Sequence, residues 1–157
     1  MSNERKRRGG FSLLELVIVV VIIGVIAAIA IPRMSRGSAG ASDAALSGNL
    51  AVLRNAIDMY AGEHGGTFPA ADTIADQLTL YSSSTGATNA TSSSVYIYGP
   101  YLRKVPPLPV GAKKGKTGIA AATGDDVGWI YTAASGTIKS NTTDSEKDVA
   151  DKKYSDY

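Results

Sequence analysis

The chain has no cysteine, so it forms no disulfide, offers no thiol nucleophile and binds no metal through cysteine. It has a single histidine, His64, too few for a histidine-built metal site. Tryptophan occurs once and phenylalanine twice. No nucleophile–base–orienter set is legible, so no enzyme activity is expected. Charge of either sign is also scarce over most of the chain. The whole chain has 16 basic and 14 acidic residues. Its first ten residues, MSNERKRRGG, hold Arg5, Lys6, Arg7 and Arg8 against Glu4 alone. Without them 12 basic and 13 acidic residues remain, a net of −1. A chain of that balance has no general affinity for nucleic acid.

What the chain has is one long apolar run, and it lies early. From residue 11 to residue 31 the sequence is FSLLELVIVVVIIGVIAAIAI, 21 residues with one charge, Glu15. A helix of that length rises about 30 Å, the thickness of a bilayer's hydrocarbon core. The basic cluster on its N-terminal side predicts a cytoplasmic N-terminus and a translocated remainder. A secretory signal would offer Ala28-Ile29-Ala30 as a cleavage site. Its apolar region is normally about 7–15 residues, however, and Pro32 would follow the cut awkwardly. A plain anchor accounts for the length but not for Glu15. An ionisable group inside a membrane segment costs a few kcal/mol and by default marks function.

Gly10-Phe11-Ser12-Leu13-Leu14-Glu15-Leu16, behind a short basic leader, resembles the processing site of type IV prepilins and type II secretion pseudopilins. The resemblance covers about the first 60 residues. It implies cleavage between Gly10 and Phe11 by a membrane prepilin peptidase, which also N-methylates Phe11. It implies an assembly role for Glu15, and it sets Gly24 and Pro32 where the family has a helix-weakening glycine and a proline. The helix between those two is expected to loosen in a fibre, because proline lacks an amide donor and glycine adds backbone freedom. Before cleavage Glu15 has no cationic partner at its depth; cleavage creates an α-amine on Phe11, four residues away.

Beyond residue 32, Leu46, Leu50, Leu53, Ile57 and Tyr60 are spaced 4, 3, 4, 3, which marks one face of an amphipathic helix. Gly65-Gly66 predicts its end. Seven of the eight tyrosines and the tryptophan follow residue 62, so a small, loop-rich head is expected on an N-terminal stalk. In that head, Asp72 is placed to cap a short helix over residues 73–80. Residues 82–94 read as an exposed polar loop. Residues 95–98 read as a strand, and residues 127–132 and 136–140 as a hairpin. The charged residues 141–157 read as a flexible tail.

The expected organisation is thus a leader over 1–10, a membrane and polymerisation helix over 11–31, its amphipathic continuation over 32–63, a head over 64–140 and a tail over 141–157. The fold class is α+β, a long helix packed on a small antiparallel sheet. Gly99-Pro100-Tyr101-Leu102-Arg103-Lys104-Val105-Pro106 is similar to the G-P-Y-L-x-K-x-P segment of major pseudopilins. Gly128-Trp129-Ile130-Tyr131 with Gly136-Thr137-Ile138 is similar to their closing hairpin. Many of those proteins carry a calcium loop near the C-terminus. No such loop aligns here, although Asp125, Asp126, Asp144, Glu146, Asp148 and Asp151 offer oxygen ligands suited to a hard cation. No cofactor is therefore expected. Gly111-Ala112-Lys113-Lys114-Gly115-Lys116-Thr117 has one residue too few between its glycines for a phosphate loop.

The resemblance implies a single-pass protein of the bacterial inner membrane with a periplasmic head, polymerising with itself into a helical filament. Its implied partners are the prepilin peptidase, an inner-membrane assembly platform with its ATPase, minor pseudopilins and the membrane. A type II secretion pseudopilus is the favoured filament. A type IV pilus for adhesion, motility or DNA uptake is the alternative.

Overall fold

The apolar run and the amphipathic stripe fall on one helix, α1 (Leu13–Glu63), in a computed structural model that describes residues 11–157. The chain divides into two units, one ending at Ser38 and the other spanning Ala39–Tyr157. In the first, Leu13–Ile31 is apolar round its whole circumference, with a mean hydropathy of 3.2. Its valines, leucines and isoleucines are all exposed. A helix apolar on every side has no water-facing surface and suits a bilayer or a bundle of its own kind.

In the second unit α1 is one-sided. Leu46, Leu50, Leu53, Ile57 and Tyr60, the residues picked out by spacing, are all buried. The helix ends at the two glycines: Gly65 and Gly66 both have positive φ, and the Gly66 amide reaches back to the Ala61 carbonyl at 2.8 Å. The buried stripe meets Ile74 and Leu78 of α2 (Ile74–Thr79), Leu108 and Val110 of a loop, and Trp129, Tyr131 and Ile138 of the sheet.

Two small sheets complete the head. β1 (Tyr81–Ser82) pairs antiparallel with β2 (Thr88–Asn89). A second sheet has the order β3-β4-β5, from Gly118–Ala120, Val127–Thr132 and Thr137–Ser140. β4 and β5 form the expected hairpin, with Trp129 opposite Ser140 and Tyr131 opposite Ile138. β3 runs parallel to β4, so this sheet is mixed rather than wholly antiparallel. Alternation along β4 buries Trp129 and Tyr131 against α1. Their polar ends are satisfied: the Trp129 indole N–H donates to the Pro106 carbonyl at 2.8 Å, and the Tyr131 hydroxyl to that of Pro69 at 3.0 Å.

Four local expectations are corrected. Asp72 does not cap α2; Thr73 stands at the cap position and makes no side-chain cap bond. Residues 82–94 are not a free loop, because Ser82 and Ser83 are buried and β2 folds back on β1. Residues 95–98 form no strand. Only Tyr98 pairs, with Ser82, and Val95 and Ile97 stay exposed. The tail is not free. The Asn141 amide donates to the Gly128 carbonyl at 2.9 Å, and further on Val149 N–H and Tyr154 O–H both donate to the buried carboxylate of Asp43 on α1, at 3.2 and 2.8 Å. A 3₁₀ turn, Tyr154–Asp156, closes it.

Candidate processing and assembly site

The residues singled out from the sequence lie at the start of α1. Phe11 and Ser12 precede the helix, and Phe11 is 85% exposed. Gly10 lies outside the described residues. Ser12 is the N-cap. Its Oγ accepts from the Leu14 amide at 3.3 Å, and its carbonyl accepts the first helical bond, from Leu16, at 3.2 Å. Glu15 closes the pattern from the other side, its Oε2 accepting the Ser12 amide at 2.9 Å. This is a capping box, with two otherwise unpaired donors satisfied reciprocally. N-caps of this type are worth about 0.5–2 kcal/mol.

The capping box changes the expectation for Glu15. Its carboxylate is not bare in the single chain, because the Ser12 amide holds it toward the N-terminal end of the helix. The carboxylate also sits at the N-terminal end of the helix, where an acidic side chain complements the helix dipole. Serine followed three residues later by glutamate, ahead of an apolar run, was a legible signature of this contact. Gly24 lies within α1, and a Cβ built on it would meet nothing within 4 Å. Pro32 falls within the span of α1; its side chain lies outside the described residues.

The prokaryotic N-terminal methylation motif matches residues 5–31. No curated protein and no solved structure matches the chain. The match spans Gly10, Phe11, Glu15, Gly24 and the apolar run together. The chain thus carries an N-terminal methylation motif typical of the broader type IV pilin and pseudopilin superfamily. The motif implies processing by an enzyme of the prepilin peptidase type. It is followed by one apolar helix long enough to cross a membrane, Leu13–Ile31, and by an α+β head with a long helix on a small mixed sheet.

Away from the motif, the carboxylates considered as cation ligands are engaged by the chain's own donors. Asp144 pairs with Lys153 at 2.9 Å, Asp151 with Lys147 at 2.9 Å and Asp126 with Lys116 at 2.6 Å. Glu146 accepts from the Thr143 and Ala112 amides, which hold its carboxyl below the usual range, the Thr143 amide contributing most. Asp148 accepts from the Ala150 and Lys152 amides at 2.8 Å and from the Tyr157 hydroxyl, and is lowered likewise, chiefly by Tyr157. Among the described residues, no three histidine, aspartate or glutamate side chains are arranged to hold a metal ion.

His64, the single histidine, directly follows α1 and is a buried tie in the structure. Nδ1 lies 2.8 Å from the Tyr60 carbonyl and Nε2 3.0 Å from that of Ser83, while the ring stacks on Tyr60 at 3.8 Å. It fastens the β1–β2 lobe to the end of α1. The segment similar to G-P-Y-L-x-K-x-P is anchored close by. The Tyr101 and Leu102 amides both donate to the Leu78 carbonyl, and the Tyr101 hydroxyl donates to Glu63 at 2.6 Å. Burial, followed by that carboxylate, pushes the Tyr101 phenol well up.

Proposed function

We propose that the chain is the structural subunit of a type IV pilus-like filament, and specifically of the pseudopilus of a type II secretion system. The observation that carries the filament reading is the methylation motif over residues 5–31, which takes in an apolar helix with one charge, Glu15. Support for the secretion role comes from the head. Its Gly99–Pro106 segment is similar to that of major pseudopilins and packs as a structural hub, receiving the Trp129 indole on the Pro106 carbonyl.

In this reading prepilin peptidase cuts after Gly10 and methylates Phe11. The subunit then waits in the inner membrane with its head in the periplasm. An assembly platform and its ATPase extract it into a fibre, to which minor pseudopilins also belong. There the apolar helices leave lipid and bury one another, which preserves their removal from water. Gly24 and Pro32 give the helix the freedom to loosen as it packs. The new Phe11 amine and Glu15 of one chain lie about one helical turn apart, roughly 6 Å along the axis. A neighbour displaced along the fibre brings its own amine level with this carboxylate. A buried charge left without its partner costs about 3–5 kcal/mol, so uncleaved or misregistered chains are rejected.

Deletion of the gene tests the assignment to a machine. The expected result is that exported proteins accumulate in the periplasm while twitching and DNA uptake continue. The reverse phenotype makes the chain a surface pilus subunit.

A further inference from the structure

His64 is buried where the end of α1 meets the β1–β2 lobe, and both of its ring nitrogens face carbonyl oxygens. Nδ1 lies 2.8 Å from the Tyr60 carbonyl and Nε2 3.0 Å from that of Ser83. A carbonyl oxygen only accepts, and a neutral imidazole carries one N–H. Both contacts are hydrogen bonds at once only when the ring holds two protons and a positive charge. With one proton, the bare nitrogen turns its lone pair on a carbonyl oxygen.

Two further features suit a cation in this place. The last turn of α1 holds no basic residue, and a charged histidine just past it complements the helix dipole. The ring also stacks on Tyr60, with centroids 3.8 Å and planes 6° apart, and Tyr98 lies 4.9 Å away; aromatic faces attract a cation. The titratable groups round the ring and its stacking partner are Tyr60 and Glu63 of α1, Tyr98 and Tyr101. Tyr101 packs edge-on against Tyr60, and its hydroxyl donates to Glu63 at 2.6 Å. From β1 and the residue after it come only the uncharged Ser82 and Ser83, both buried.

Ser82 provides the alternative partner. Its Oγ lies 3.2 Å from Nε2, and a hydroxyl donates as well as accepts. When Nε2 is bare, Ser82 gives it a hydrogen bond. The Ser83 carbonyl then keeps only the Gly86 amide, at 2.9 Å.

We infer that His64 is a proton-controlled clamp. Charged, it donates from both nitrogens and ties the β1–β2 lobe to the end of α1. Neutral, it keeps the Tyr60 carbonyl, releases that of Ser83 and takes the Ser82 hydroxyl instead. The tie is therefore whole on the acid side of the histidine range and weakens as pH rises through it. The clamp lies wholly within the unit Ala39–Tyr157 and does not depend on the filament reading.

The test uses the full chain in detergent, with its histidine ring labelled with nitrogen-15. His64 is the only histidine, so every ring signal is its own. A free imidazole is half charged at about pH 6.5. At about pH 5.5 both nitrogens are expected to be protonated; at about pH 8 Nδ1 is expected to keep its proton and Nε2 to be bare. The Tyr98 amide, which donates to the Ser82 carbonyl at 3.1 Å, reports the lobe. Its protection from hydrogen exchange is expected to fall about tenfold between those pH values, beyond the ordinary base-catalysed rise. Ser82→Ala removes the donor to the neutral ring. It is expected to stay within about twofold of the parent at about pH 5.5 and to lose more than the parent at about pH 8. His64→Phe keeps a ring to stack and is expected to abolish the pH dependence. One bare nitrogen at about pH 5.5, protection equal at the two pH values, or a His64→Phe chain with the parent's full loss overturns the clamp. The ring spectra and the parent's exchange need no variant, so they decide even if a substituted head fails to fold.

Discussion

The hydroxyl of Tyr154 donates to the carboxylate of Asp43 at 2.8 Å, joining residues 111 positions apart. Asp43 is buried on α1 and also accepts the Val149 amide at 3.2 Å. The last residues of the chain are thereby fastened to the long helix, with Arg54 donating to the Tyr157 carbonyl oxygen as a second fastening.

Tyr154→Phe removes one donor from a buried carboxylate and keeps the ring. Leaving a buried acceptor short of a partner costs about 1–3 kcal/mol. Urea unfolding of the detergent-purified protein, followed by Trp129 fluorescence, is expected to show a loss of that size with an unchanged urea slope. A midpoint equal to the parent's would mean that this bond contributes nothing.

Buried Tyr131 and half-buried Tyr154 give the head a weakness to alkali. Burial, and for Tyr154 the neighbouring Asp43 carboxylate as well, pushes Tyr131 and Tyr154 up to about 12. Free phenols ionise near about 10. Between those values the folded chain keeps protons that the unfolded chain releases, so stability falls as pH rises. It is expected to be intact below about pH 10 and to decline toward about pH 12. In Tyr154→Phe the decline is expected to be shallower. A stability flat across that window would contradict the burial of these groups.

Glu15 combines two roles that substitution can separate. Glu15→Gln keeps an oxygen for the Ser12 amide and removes the charge; Glu15→Ala removes both. Both are expected to insert and be cleaved, and both to be missing from sheared fibres, while Glu15→Asp assembles in part. Wild-type yields of fibre from Glu15→Gln would assign the role to the cap and not to the charge.

Much of this was legible in the sequence. The membrane run and the buried stripe from Leu46 to Tyr60 follow from local spacing, and the β4–β5 hairpin from two apolar segments with a short connection. Elsewhere the deciding partners are distant. The tail looked solvated because Asp43 and Arg54, which hold it, lie about a hundred residues earlier. Val95–Tyr98 has strand-forming residues, but only Tyr98 finds an edge, on Ser82. His64 has no local partner that marks it as buried beyond Tyr60; Ser83, nineteen residues on, folds back onto its Nε2. β3 holds only three small or branched residues and becomes a strand through pairing with β4. The Ser12–Glu15 cap is local, and its Ser-x-x-Glu spacing is legible in the sequence.

Residues 1–10 are proposed to be a leader removed before a filament subunit is made. Intact-mass analysis of the membrane-purified protein tests it most directly. The expected mass is that of a chain beginning at Phe11 and carrying one N-methyl group. A chain beginning at Ile31 would mean cleavage by signal peptidase, and a chain beginning at Met1 a plain anchor; either result would exclude prepilin processing.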